Sequence, residues 1–362
     1  MVRRSILFTP GDQPEMLRKA PDAGADTIVF DLEDAVAPTE KESARETVRA
    51  VLTDPAFDPE CEVCVRVNAP VDELTADLEA IVGDLDTDID TATDADTATD
   101  TDTATDADTA TDTDTATDAD TATDTDTATD ADTDTHTGTG TDTATAADTA
   151  TDTHSGTDTT NPPTDLRLDS VMLPKADSAD DIRTLAAELE SHGLDLPILA
   201  LIENAQGVLE APGIAAVPET AALLFGAEDL SADLGATRTD EGTEVLYARE
   251  RVVVAAAAHD CQAIDTVFTD FGDEDGLIEE TEFAIQLGYD GKLAIHPAQV
   301  EPINEAFTPT AEALEWATAV LEAKQEADAE GRGVFEVDGE MIDAPLIAQA
   351  ERIRERADAA DS

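Results

Sequence analysis

The sequence predicts an α/β fold: a closed (β/α)8 TIM barrel, interrupted by a disordered low-complexity insertion and followed by a C-terminal helical lid. Three observations lead there. Eight short apolar strand candidates alternate with amphipathic helical stretches, which argues for a parallel sheet wrapped by helices. The strand candidates are apolar almost throughout, the pattern of strands covered on both faces. Eight such units close a barrel more naturally than they extend an open sheet, and no Gly-x-Gly-x-x-Gly follows the first strand, which disfavours a dinucleotide-binding alternative.

In chain order the strand candidates are RRSILFTP (3–10), DTIVFDLE (26–33), CEVCVRVN (61–68), DSVMLPK (169–175), PILALIEN (197–204), AALLFGAED (221–229), QAIDTVF (262–268) and GKLAIHP (291–297). Helical periodicity falls at residues 39–52, 71–82, 179–190, 244–258 and 279–287. Cys61 and Cys64 form a Cys-x-x-Cys, but on a strand positions i and i+3 face opposite ways. Neither a second such pair nor a His pair accompanies them, so zinc, which usually takes four ligands, is disfavoured.

These elements divide the chain into a first part of the barrel (1–85), an insertion (86–163), a second part of the barrel (164–308) and a C-terminal helix and lid (309–362). The insertion repeats Asp, Thr and Ala around DTATDADTATDT (90–101); with almost no large apolar side chain it cannot offset its own ordering entropy. It replaces a helix-to-strand connection, on the barrel face opposite catalytic loops. A low-complexity expansion is tolerated there because loop-closure entropy grows slowly with length; an acidic bristle, a glycosylated stalk and a loose cation sponge are the functional readings. The tail reads as a helix (311–333), an extended stretch with a glycine turn, and a final helix. Phe335, Met341, Ile342 and Leu346 in it need a packing partner.

The chain has 362 residues, with 20 Lys+Arg against 85 Asp+Glu and a formal net charge of -65. Such a surface repels itself in ordinary salt, whereas molar salt shortens the Debye length to ~3 Å. A salt-loving, haloarchaeal source is therefore expected. A phosphate-binding basic face is absent, which argues against nucleic acid. No apolar run approaches the ~20 residues of a membrane helix, and a cytoplasmic location is expected.

Polar groups gather where the predicted strands end: Asp31, Glu33 and Asp34 after the second, Arg66 after the third, Lys175 after the fourth, Glu203 after the fifth, Asp229 after the sixth. Carboxylates without His or Cys favour a hard cation, and magnesium takes one or two of them while keeping water and substrate oxygens. Glu203 and Asp229 end adjacent strands and could share one ion. A guanidinium beside it, Arg66, would bind a carboxylate or steady an oxyanion. The bland alternative is an internal Arg–carboxylate network supporting the barrel.

Taken in order, RRSILFTPG, DLEDAVAPTEKESAR, VRVN, LPKA, ALIENAQG, GAEDLSADLG, AIDTVFTDF and GYDGKLAIHPAQV resemble the citrate lyase beta-subunit-like proteins of the HpcH/HpaI aldolase/citrate lyase family, which include malyl-CoA, β-methylmalyl-CoA and citramalyl-CoA lyases. The resemblance spans the chain outside the repeat. It implies a magnesium-dependent barrel, with manganese as a substitute ion, acting on acyl-CoA thioesters as a trimer or hexamer. By the matched motifs, Glu203 and Asp229 correspond to magnesium ligands and Arg66 to the substrate arginine. FEVDGEMIDAP resembles the lid supplied by a neighbouring subunit, with Asp343 as its acid–base residue. Phe8, Pro10, Gly11 and Lys19 fall where coenzyme A is held, and Glu33, Asp34 and Lys175 complete the implied substrate-binding set. The implied reaction joins or separates glyoxylate and an acyl-CoA; a malyl-CoA thioesterase, a citrate lyase beta-type subunit and a non-enzymatic surface protein are the alternatives.

Overall fold

The computed structural model describes residues 2–83, 166–329 and 331–360; the predicted insertion, 86–163, lies outside the described residues. Eight parallel strands close into a barrel in sequence order: β1 (Ser5–Pro10), β2 (Thr27–Asp31), β3 (Glu62–Arg66), β4 (Ser170–Leu173), β5 (Ile198–Ile202), β6 (Thr220–Phe225), β7 (Gln262–Asp265) and β8 (Gly291–Ala294). Pairing of β1 with β8 seals it. The helices are α1 (Pro14–Lys19), α2 (Lys41–Leu52), α3 (Val71–Val82), α4 (Ala179–Ser191), α5 (Ala205–Ala215), α6 (Ala227–Leu234), α7 (Leu246–Ala258), α8 (Glu274–Leu287) and α9 (Val300–Phe307). α8 starts five residues before the predicted 279, because the Asp273 carboxylate accepts from Gly276 N at 3.1 Å and caps an Asp/Gly-rich turn that reads locally as loop.

Alternation along the strands builds two cores. Ile6, Val29, Cys64, Met172, Leu199, Leu224, Ile264 and Leu293, one from each strand, point inward and fill the barrel. Their neighbours, such as Ile28, Val63, Ala200 and Leu223, face outward against the helices. Cys64 thus lies in the barrel and Cys61 packs on the outer core, as the strand spacing requires. At the N-terminal end of the barrel a buried ion pair joins Arg3 to Glu62 (Nε–Oε2 2.6 Å, Nη2–Oε1 2.9 Å), with Thr27 Oγ1 donating to Glu62 at 2.8 Å.

The flanks of the insertion also lie at that end. Arg49 donates to the carbonyls of Ala80 and Ile81 at 3.2 Å, closing α3. The chain resumes with Arg167 N donating to Leu52 O at 2.9 Å and Arg167 Nη2 to Pro59 O at 2.9 Å, beside the start of β3.

Beyond the barrel, α10 (Ala311–Ala329) and α11 (Ala344–Ala360) flank a two-stranded hairpin, β9 (Phe335–Val337) and β10 (Glu340–Ile342). Its turn is Asp338-Gly339, both at positive φ (51° and 84°), the conformation that two-residue hairpins need and Asp-Gly favours. Phe335 and Ile342 are buried against Ala317, Val320, Ala327 and Ala350 in a small separate core, which Leu346 joins. Met341 does not pack: it is 73% exposed, since β10 turns alternate side chains to opposite sides and only one side is covered. Among the described residues no helix is long and apolar enough to cross a membrane.

Candidate active site

The parallel register sets Asp31 directly beside Arg66 at the ends of β2 and β3. Arg66 grips Asp31 with both edges of its fork, Nε–Oδ1 at 2.7 Å and Nη2–Oδ2 at 2.5 Å, and its Nη1 lies 3.1 Å from Glu33 Oε2. The guanidinium carbon stands 4.9 Å from the Phe8 ring centroid, a cation–π contact. Burial opposes the charge of Arg66, but the Asp31 hydrogen bonds and the surrounding carboxylates outweigh it and raise its pKa.

Asp31 also organises the loop after β2, accepting from the amides of Glu33 (2.8 Å) and Ala35 (3.2 Å). Glu33 bridges two cations: Oε2 faces Arg66 and Oε1 pairs with Lys175. Lys175 takes a left-handed backbone, φ 50°, uncommon for a residue with a Cβ. Its amide donates to Glu203 Oε1 at 2.9 Å, while Nζ lies 3.5 Å from Asp34, 3.9 Å from Glu203 and 3.7 Å from Asp229. Burial opposes its charge too, but Glu33 and the other acids hold its pKa above the lysine value. These acids favour the ammonium, which suits a role in neutralising charge. Burial likewise works against ionised Asp34, yet Lys175 prevails and lowers its pKa; for Glu33 burial prevails and raises it.

Glu203 follows β5 and Asp229 sits in the first turn of α6. Gly226, at the N-cap of α6, leaves no room for a side chain: a Cβ there would lie 2.5 Å from Glu203 Cβ and 2.8 Å from its Oε2. Burial, with the charges of Asp229 and Glu33, pushes the Glu203 carboxyl up to about 8. Among the described residues the buried carboxylates are Asp31, Glu33, Glu62, Asp77, Glu203 and Asp265. Five have a cation in direct contact, namely Arg66, Lys175, Arg3, Arg45 and Lys292. Glu203 is the exception, its nearest cation 3.9 Å away. Two carboxylates converging on one point, one of them buried without a close counter-charge, fit a hard divalent ion that keeps open positions. Among the described residues no group of three or more His, Cys, Asp or Glu forms a metal cluster, so the fit rests on this pair.

A cavity of about 420 Å³ opens over the cluster, lined on its polar side by Asp31, Asp34, Arg66, Glu203, Asp229 and Thr266 and on its apolar side by Phe8, Pro10, Leu201, Val267, Leu293 and Ile295. A larger one, about 630 Å³, adjoins it around Arg238 and Arg249, but both arginines are already paired, to Glu228 and Glu244 and to Asp265 and Glu280.

The sequence model of the HpcH/HpaI aldolase/citrate lyase family matches residues 4–116 and 148–297. The chain belongs to this family. Within it, the citrate lyase subunit beta-like protein of Deinococcus radiodurans is 32% identical over 96% of this chain and 94% of its own length. The mitochondrial citramalyl-CoA lyase of Mus musculus is 29% identical over 97% and 85%. Among solved structures, CitE from Mycobacterium tuberculosis, in complex with magnesium, acetoacetate and coenzyme A, is similar with a TM-score of 0.64 and 28% identity, over 99% of this chain and 98% of that one.

Set in this family's barrel, Phe8, Pro10, Asp34, Arg66, Glu203 and Asp229 line one cavity, with Glu33 and Lys175 bound to them at its edge. Gly11, Lys19 and Asp343 do not line it. Gly11 is a packing position: its amide donates to Asp31 O at 2.8 Å, and a Cβ would lie 2.7 Å from that oxygen. Lys19 is exposed at the end of α1, and Asp343 is exposed at the start of α11, its carbonyl accepting from Ile347 N. Of the apolar side, Leu201, Val267, Leu293 and Ile295 escaped the sequence reading, because they look like any other strand interior. Asn68, which ends the third strand beside Arg66, braces the loop after β2 through Leu32 O and Lys41; a further supporting residue, Lys41, was missed.

Proposed function

We propose that this protein is a magnesium-dependent carbon–carbon lyase that cleaves or forms a 3-hydroxyacyl-CoA, such as L-malyl-CoA or β-methylmalyl-CoA, giving glyoxylate and acetyl-CoA or propionyl-CoA. The observation that carries it is the convergence of Arg66, Glu203 and Asp229 on one cavity with an apolar floor. Family membership and the citramalyl-CoA lyase relative support the reaction class, and the magnesium in the similar CitE structure supports the ion. Glu203 and Asp229 would hold magnesium or manganese, which when bound supplies Lewis-acid polarisation of the oxo-acid oxygens. Arg66, fixed by Asp31 and Glu33, stabilises the negative charge on the hydroxyl oxygen that becomes the oxo-acid carbonyl, a charge that passes to the acyl-CoA enolate as the carbon–carbon bond breaks. Phe8 and Pro10 shape the coenzyme A side of the cavity, with Gly11 and Lys19 beyond it.

The acyl carbon must then gain a proton, or lose one in the condensation direction. Asp343 has this role in the proposal, brought by the lid of a neighbouring subunit in a trimer or hexamer; in its own chain it stands exposed. A closed lid also keeps water from the thioester. The acidic composition fits a cytoplasm of molar salt, the haloarchaeal setting we propose.

The test is product analysis in molar KCl with magnesium, offering malyl-CoA and β-methylmalyl-CoA and following glyoxylate and free CoA together. Glyoxylate with acetyl- or propionyl-CoA is the expected result. Free CoA and malate without glyoxylate would make the protein a thioesterase and overturn the proposal, and idleness on CoA esters would point to a citrate lyase subunit. Asp343→Ala should abolish proton exchange at the acyl α-carbon while leaving magnesium affinity unchanged; unchanged exchange removes Asp343 from the mechanism.

A further inference from the structure

Lysine occurs only five times in this chain, and Lys41, at the start of α2, lies just behind the site. Its ammonium has three partners: Leu32 O at 2.6 Å, Glu33 O at 2.8 Å and Asn68 Oδ1 at 2.6 Å. All three donors of the group are engaged. Lys41 does not line the cavity, so any effect it has on chemistry passes through what it holds.

What it holds is the loop that aims Glu33. The peptide units of Leu32 and Glu33 are fixed from the front by Asp31, which takes the Glu33 and Ala35 amides, and from behind by Lys41. A second brace locks the third partner. Asn68 gives its amide and side chain to Asp77 Oδ2 (2.7 and 2.8 Å) and its side chain also to Leu32 O (3.1 Å), and Asp77, fully buried in α3, is held by Arg45 of α2 at 2.6 Å. The chain of contacts runs Arg45, Asp77, Asn68, Lys41, then the Glu33 backbone. It ends where the Glu33 carboxylate separates Arg66 from Lys175.

We infer that Lys41 is a positioning residue for this site: its ammonium fixes the Leu32 and Glu33 peptide units and thereby aims Glu33 at both Arg66 and Lys175. The catalytic consequence rests on the lyase reading above; the structural link does not. Without the ammonium, two carbonyls and an amide oxygen lose a shared donor in a partly buried setting, and the loop gains freedom where Arg66 needs a fixed partner. A displacement of ~1 Å in a group that orients a reacting centre costs about 10²-fold in rate.

The test compares wild type, Lys41→Met and Lys41→Arg by amide hydrogen exchange and by steady-state kinetics. In Lys41→Met the Glu33 and Ala35 amides should exchange at least ~10-fold faster, with the amides of β5 and β6 unchanged, because the opening is local. kcat should fall about 30-fold with KM for the acyl-CoA within about threefold, the pattern of lost transition-state positioning rather than lost binding. Lys41→Arg, which keeps a cationic donor, should recover part of both losses. Unchanged exchange at Glu33 and Ala35 overturns the inference, as does faster exchange with unchanged kcat, or exchange that rises equally throughout the barrel. If wild type cleaves no carbon–carbon bond, the lyase reading fails, while the exchange measurement still decides whether Lys41 fixes the loop.

Discussion

Replacing Gly226 with alanine adds one methyl group at the point where the proposed metal site has least room. The backbone there, φ -107° and ψ 91°, is open to any L-residue, so the effect is steric and not conformational. The new Cβ would stand 2.5 Å from Glu203 Cβ and 2.8 Å from Glu203 Oε2, against the ~3.5–4.0 Å at which carbon atoms rest. Relief needs a shift of about 1 Å, and Glu203 is buried between β5 and β6 with its Oε1 held by the Lys175 amide. Overpacking of this kind costs ~1–3 kcal/mol of stability.

The metal should register the change more sharply than the fold does. Magnesium demands oxygens at about 2.0–2.1 Å, so a carboxylate moved by ~1 Å no longer serves it, and we expect a loss of ~30-fold in affinity, about 2 kcal/mol. Calorimetric titration with magnesium, or manganese followed by electron paramagnetic resonance, reads this directly. Gly213→Ala is the control: it lies in α5 with its nearest foreign atom, Glu210 Oε2, at 3.7 Å. There alanine should stabilise the helix by ~0.5–1 kcal/mol and leave metal binding alone. Equal magnesium affinity in Gly226→Ala and wild type would refute the assignment of Glu203 as a ligand.

Three further outcomes follow from the same geometry. Arg66→Lys loses both edges of the fork on Asp31, and a point charge cannot replace it; kcat should drop by about 10²–10³-fold, because removing a preorganised charge at a developing anion costs ~2.7–4 kcal/mol, and activity within tenfold of wild type would sink the role. Because burial holds the Glu203 carboxyl at about 8, the folded protein keeps it protonated at neutral pH and ion binding must displace that proton. Magnesium affinity should therefore fall about tenfold per pH unit below that value and level off above it; calorimetry in buffers of different ionisation heat should find close to one proton released at neutral pH, and pH-independent affinity would contradict the shift. With a net charge of -65, raising KCl to about 1 M screens repulsion to within ~3 Å, and the melting temperature should rise by several degrees; a melting temperature that falls with salt would remove the high-salt reading.

How much of this was legible beforehand depended on the range over which each feature is determined. Strands with inward and outward apolar faces announce themselves locally, and the parallel register then carries Asp31, Arg66, Glu203 and Asp229 to one end of the barrel with no further information. The register also decided what the sequence left open: Arg66 takes Asp31 as its main partner, with Glu33 second, although both acids lie within three positions of each other. Lys41 and the floor of Leu201, Val267 and Leu293 could not be read, because a lysine opening a helix and leucines in strands carry no local mark of what they meet across the fold.

The acids carry the weakest local signal of all. In a chain with 85 Asp and Glu, a carboxylate at a strand end is weak evidence, since composition alone scatters them over every surface. Burial removes that ambiguity: an acid taken out of water has to find a compensating charge or keep its proton. Asp31, Glu33, Glu62, Asp77 and Asp265 each have a cation in contact, and their presence is explained by the fold. Glu203 is buried as deeply, packs where Gly226 leaves no room for a Cβ, and among the described residues its nearest ion-pair partner is Lys175 at 3.9 Å, an ammonium already committed to Glu33. Glu203 is therefore the one of these buried acids left to keep its proton or take an ion, and that follows from its own surroundings and not from the acidic character of the chain. It is the reason the Gly226→Ala titration discriminates: a structural carboxylate would only soften the fold, whereas a metal ligand must lose its ion.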